Sequence, residues 1–188
     1  MEKVHQSAVV LSPSLDDRNA IQAIRQKYDR NFCRWMPHIT LLYPFYPKAN
    51  FEDAVDLLAD ACQRVDVFEV SFSQFKFFQH GRQSFTLWLA PEPKDAVCAL
   101  QEMLWQAVPD CDDTRKQRDG FTPHLSVGQV RSKQGLDTVL PLLQDNWDVL
   151  TIRPQKVDLI WRNEKPDDVF RVGYSIALGT GEIQRVNM

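Results

Sequence analysis

Two pentapeptides constrain this chain more than anything else in it: Pro37-His38-Ile39-Thr40-Leu41 and Pro123-His124-Leu125-Ser126-Val127, 86 positions apart. Both run proline, histidine, apolar, hydroxyl, apolar. With proline near 5 %, apolar residues near 45 % and hydroxyl residues at about 12 %, one histidine meets this context by chance roughly once in a thousand times. The chain has 4 histidines, and two of them meet it. The surrounding runs are β-branched and apolar, which predicts strands, and side chains at i and i+2 of a strand share a face. His38 then stands with Thr40, and His124 with Ser126, while Ile39, Leu41, Leu125 and Val127 point the other way into a core. The fold must supply two equivalent strands.

The flanking elements repeat as well. Residues 7–12 (SAVVLS) predict a buried strand, and Ser14 with Asp17 resembles a capping box ahead of a helix over 16–28. In that helix Ile21, Ile24 and Tyr28 form the apolar stripe, leaving Asp17, Arg18, Arg25 and Lys27 to the other faces. The strand PHITLLYPF (37–45) follows, then a helix over 51–65 capped by Asn50, then a strand at 67–73. The second half offers a hairpin of 75–79 and 84–90 around His80-Gly81 and a helix from Pro93 that stops before Pro109. A strand at 121–130 comes next, then a helical segment at 132–144 that Gly135 and Pro141 make irregular. Three further strands, 148–152, 156–161 and 169–178, precede a C-terminal decapeptide expected to fray. One order in both halves, strand, helix, Pro-His strand, helix, strand, signals a duplication. Its two copies point to pseudo-symmetric lobes within a single domain of residues 1–188.

Composition limits the partners. Lysine and arginine number 22 against 25 acidic residues, a net charge of −3, which excludes wholesale salt-driven duplex binding and leaves a local site. Cys33, Cys62, Cys98 and Cys111 form no C-x-x-C pair, so they read as reduced thiols, and a zinc site from His38, His124 and a cysteine has no spacing to support it. The expectation is no metal and no cofactor. The N-terminal run indicates neither secretion nor a membrane span, which points to the cytoplasm or nucleus, and the chain is expected to be a monomer. If a pseudo-two-fold axis relates the lobes, the imidazoles and hydroxyls converge on one ligand. One imidazole then accepts a proton and the other donates one, with a bell-shaped rate profile between about pH 5 and 8. The hydroxyls suit a tetrahedral oxyanion. Phosphoryl chemistry fits this set, and a symmetric pair leaves open which histidine is the base.

With HITL at 38–41 and HLSV at 124–127, the chain resembles the two-histidine phosphoesterase superfamily, which includes 2′-5′ RNA ligases and cyclic nucleotide phosphodiesterases. The longer strings PHITLLYPF and FTPHLSVGQ are similar to its RNA ligase-like branch. The resemblance implies an α+β, duplicated bilobal fold, two antiparallel-rich sheets flanked by helices around a central cleft. It also implies metal-independent phosphodiesterase activity with His38 and His124 catalytic and Thr40 and Ser126 on the phosphate. Serine in the second motif keeps the hydroxyl and loses the methyl that restrains its rotamer. The expected substrate is a 2′,3′-cyclic phosphate or 2′-5′ phosphodiester of an RNA end or nucleotide, with reversible 2′-5′ RNA ligation as the reverse step. A non-catalytic module binding RNA ends or nucleotides in the same cleft is the alternative. Tyr43, Phe45, Trp161 and Arg162 are candidate substrate contacts, and Arg115, Lys116 and Arg118 read as a solvated loop.

Overall fold

The two motif strands lie side by side. In the computed structural model, which describes residues 2–116 and 120–186, β1 (Ser7–Leu11), α1 (Arg18–Tyr28) and β2 (Ile39–Leu42) are followed by α2 (Phe51–Gln63) and β3 (Val70–Gln79). Then come β4 (Ser84–Glu92), α3 (Lys94–Ala107), β5 (Leu125–Arg131), α4 (Lys133–Asp145), β6 (Leu150–Ile152), β7 (Lys156–Trp161), β8 (Arg171–Ala177) and β9 (Ile183–Arg185). The fold is α+β: an antiparallel sheet flanked by the four α-helices of the described residues. The two sheets expected from the duplication are joined into one, in the order β6-β3-β4-β5-β2-β1-β7-β8-β9. The joint between β5 and β2 is a single residue pair, Ile39 opposite Leu125.

The strand order shows that a half of the sheet is not a half of the chain. β3 leaves the first half to pair with β4, and β7 leaves the second half to pair with β1. Helices cross likewise, α1 packing on β5 and α3 on β2. One apolar core therefore runs through both halves, with Val9, Ile39, Leu41, Phe72, Leu87, Leu125, Val127 and Leu159 at 0–1 % exposure. A smaller cluster, Ala8, Val10, Ile160 and Phe170, lies on the opposite face of β1 and β7, covered by Trp35, Met36 and Tyr43.

Local corrections have local causes. The runs 67–73 and 75–79 are one strand, β3, with a register shift between Phe72 and Gln74 opposite β4. That bulge resets the alternation and makes one strand look like two. α4 runs unbroken through Pro141, which is exposed, and is capped by Ser132 Oγ accepting from the Gly135 amide at 3.1 Å. Water can serve the carbonyl that Pro141 leaves unpaired. Ser14 Oγ accepts from the Asp17 amide at 3.3 Å, so the capping box closes the turn before α1 rather than its first turn. Asn50 occupies the N-cap of α2, but its side chain donates to Asp53. The C-terminal segment is ordered by pairing: β9 adds to β8 through Tyr174–Arg185, Ser175–Gln184 and Ile176–Ile183. Its exposed, mixed composition hid the strand. No helix among the described residues is long and apolar enough to cross a membrane.

α1 sits on β5 because Gly128 admits it. A Cβ at Gly128 would lie 2.4 Å from Tyr28 Cβ and 2.9 Å from the Tyr28 carbonyl. Gly128→Ala should therefore destabilise the fold by about 1–3 kcal/mol, because backbone must move to make room. Urea denaturation of the variant checks this, and an unchanged midpoint would mean α1 is not seated there.

Candidate active site

The pair Ile39–Leu125 builds the site. In antiparallel register, one step either way sets His38 across from Ser126 and Thr40 across from His124. Both apolar neighbours are buried, Ile39 at 1 % and Leu125 at 0 % exposure, so alternation turns all four polar side chains to the other face. Directly opposed strand residues have Cβ atoms about 4.5–5.5 Å apart, close enough for one tetrahedral group to meet all four. A cavity of about 280 Å³ opens there, lined by His38, Thr40, Ser126 and Tyr43 together with Arg25, Asp29, Trp35, Thr86 and Gln129, whereas His124 lies behind that lining, near enough for its charge to act on His38.

Both histidines are held alike. His38 Nδ1 lies 2.7 Å from the Met36 carbonyl and His124 Nδ1 lies 2.8 Å from the Thr122 carbonyl. A carbonyl only accepts, so each Nδ1 carries the proton and each Nε2 is the free, proton-accepting nitrogen. The ring environments differ. His38 stacks on Trp35 at 4.7 Å and 17°, and Trp35 stacks on Phe170 at 3.6 Å. His124 instead meets Phe78 edge-on at 4.9 Å, with Trp88 behind.

Burial dominates the electrostatics. It lowers the His38 pKa to about 4, helped by the positive charges of Arg25 and His124 and opposed by the Met36 carbonyl and Asp29. It lowers that of His124 also, against the Thr122 carbonyl. Burial thus disfavours the charged form of both imidazoles in the free site. The pairing of one neutral with one charged ring, expected from ordinary imidazoles, therefore requires an anion in the cleft to hold the second proton.

The other candidate contacts divide. Tyr43 lines the cavity, half-buried, its hydroxyl pKa raised by burial. Phe45 is a correction: it is 0 % exposed and packs on Tyr46 and Phe51 in the core. Trp161 is another, because strand alternation turns it away from Ile160 into the main core, under the Lys48 ammonium at 3.3 Å. Arg162 lies outside the cavity lining, its guanidinium 5.5 Å from the Phe170 ring. Arg115 pairs with Glu102 and Lys116 with Asp112, while Arg118 lies outside the described residues. Among the described residues, no group of three or more His, Cys, Asp or Glu side chains could hold a metal, and the four cysteines are free. Arg25, Asp29, Trp35, Thr86 and Gln129 were missed. Arg25 and Asp29 are spaced i,i+4 on a helix, an ion-pair signal that looks the same whether it faces water or a cleft.

A family model described as "2'-5' RNA ligase superfamily" matches residues 12–166. A protein of Bacillus pumilus (strain SAFR-032) named "Putative phosphoesterase" is 25% identical over 174 residues, 92% of this chain and 90% of that protein. Among solved structures, E. coli LigT complexed with 3'-AMP aligns over 93% of this chain and 98% of its own, at TM-score 0.64 and 17% identity. TT0787 of Thermus thermophilus aligns with the same coverage at TM-score 0.62 and 16% identity, and Kluyveromyces marxianus Usb1 at 0.51 and 12%, over 93% and 98%. Two histidine-hydroxyl pairs meeting across one strand joint, on this fold and within the matched span, establish that the chain belongs to the 2'-5' RNA ligase superfamily.

Proposed function

We propose that this protein is a phosphodiesterase that opens 2′,3′-cyclic phosphates or 2′-5′ phosphodiesters of RNA ends or nucleotides by two-histidine acid–base catalysis, without a metal. The observation that carries this reading is the pairing of Ile39 with Leu125, whose antiparallel register places His38 toward Ser126 and Thr40 toward His124, with both Nδ1 atoms tied to backbone carbonyls. His38, whose protonated form the neighbouring Arg25 charge disfavours, is the base. Its Nε2 takes a proton from water as the water oxygen attacks phosphorus. His124, protonated when the anionic substrate enters, gives its proton to the departing ribose oxygen. Thr40 and Ser126 donate to the non-bridging oxygens as charge builds. The cavity, about 280 Å³, sits at the small end of ligand pockets, which suits one nucleotide unit rather than a length of strand. With a 5′-hydroxyl attacking phosphorus in place of water, the same base taking its proton and the same acid protonating the departing ribose oxygen, the site joins it to a cyclic-phosphate end, as a minor reaction because water competes at roughly 55 M.

His38→Ala and His124→Ala should each lower turnover of a 2′,3′-cyclic nucleotide by roughly 10²-fold to 10⁴-fold with the fold retained. Thr40→Val and Ser126→Ala should cost about 10-fold to 10³-fold, one donor apiece. Near-wild-type turnover in either histidine variant rules out the mechanism, and binding without turnover in the wild type identifies a binding module instead. EDTA should leave the rate unchanged.

The pH dependence follows from the lowered pKa values. kcat/KM reports the free enzyme, whose singly protonated form becomes scarce above the depressed imidazole values. Its optimum should therefore lie below the ordinary histidine value of about 6.5 and fall through neutral pH. kcat reports the complex, where the bound anion favours the imidazolium, so its optimum should lie higher. Coincident profiles centred between about pH 6 and 7 would show that burial does not control the pair.

A further inference from the structure

Arg25 takes part in no step of that chemistry, yet it is buried to 1 % exposure in the cavity wall. Its Nε donates to Asp29 Oδ2 at 2.8 Å, Nη1 to Gln22 Oε1 at 2.9 Å and Nη2 to the Trp35 carbonyl at 2.8 Å. The last bond matters most. Trp35 is joined to Met36, whose carbonyl accepts from His38 Nδ1, and the Trp35 indole stacks on the His38 ring. Backbone and ring of Trp35 both bear on one imidazole, and Arg25 holds Trp35. At its other end, Asp29 Oδ1 accepts from the Asn31 amide at 2.9 Å and from Gln129 Nε2 at 3.2 Å. Gln129 belongs to β5, three positions beyond Ser126.

We propose that Arg25 is a positioning residue: its guanidinium fixes the orientation of the His38 imidazole through Trp35 and ties it, through Asp29 and Gln129, to the strand that carries Ser126. A planar fork donates to three acceptors at once, whereas an ammonium on a flexible stem does not hold them in one geometry. That difference explains why an arginine, paired with Asp29, is kept buried in the wall of the site. Removing it alone would leave Asp29 as an uncompensated buried carboxylate. The kinetic part of this proposal rests on His38 acting in proton transfer; the orientation part does not.

The test is Arg25→Lys in the full chain, read by two measurements on one sample. Nitrogen-15 NMR of the histidine rings should show wild-type His38 and His124 both as the Nδ1–H tautomer. In Arg25→Lys, His38 should become a mixture of tautomers while His124 stays as it was. With a 2′,3′-cyclic nucleotide, kcat should fall roughly 10-fold to 10²-fold with KM within about 3-fold, the pattern of a misplaced group rather than lost binding. An unchanged His38 tautomer overturns the proposal, and so does a raised KM with unchanged kcat, which would make Arg25 a substrate ligand. If the wild type turns over nothing, the functional reading fails alone and the tautomers still decide the positioning. Should Arg25→Lys not fold, the double variant Arg25→Met with Asp29→Asn removes both charges together and is held to the same tautomer criterion.

Discussion

The site depends on one cross-strand pair, Ile39 opposite Leu125, because that pair alone brings β2 and β5 together in register. A slip of one residue there would turn the histidines and hydroxyls into the core and the apolar side chains into the cleft. So short a ladder holds because of what lies on either side of it. Ile39, Leu41, Leu125 and Val127 are all 0–1 % exposed, and each buried side chain of this kind contributes about 1.5–3 kcal/mol. The exchange of β3 and β7 between the halves, and the crossing of α1 onto β5 and α3 onto β2, prevent the halves from separating without breaking one shared core. Polar geometry in the cleft is thus set by apolar packing behind it.

The same burial gives the cleft its electrical character. Desolvation disfavours the charged form of both imidazoles, and their Nδ1 protons are committed to backbone carbonyls. In such a site an entering anion would favour the imidazolium form that burial disfavours. The symmetry is broken outside the four motif residues. Arg25 and the stacked Trp35 stand beside His38, while Phe78 and Trp88 stand edge-on to His124. Two matching motifs thus sit among different neighbours.

What the sequence alone determined is whatever depends on local periodicity. The alternation in HITL and HLSV assigns His38, Thr40, His124 and Ser126 to one face, and the structure buries the alternate residues Ile39, Leu41, Leu125 and Val127 while His38, Thr40 and Ser126 line one cavity, because the period of a strand is two wherever the strand goes. The helical stripes located α1, α2 and α3 to within a few residues for the same reason. Tertiary structure decided what periodicity cannot carry. Arg25 sits on the polar side of the α1 stripe, and only the packing of that helix against β5 shows that this side closes over a cleft instead of meeting water. Phe45 comes two residues after Tyr43 and both lie beyond the end of β2, yet Phe45 turns into the main core while Tyr43 lines the cavity. Trp161 and Arg162 are adjacent in sequence, yet alternation places them on opposite sides of the sheet, and the sequence does not say which side is which. The joining of two expected sheets into one, and the exchange of β3 and β7, rest on long-range pairing. A strand's partners are chosen by the whole core that they bury, not by its own residues.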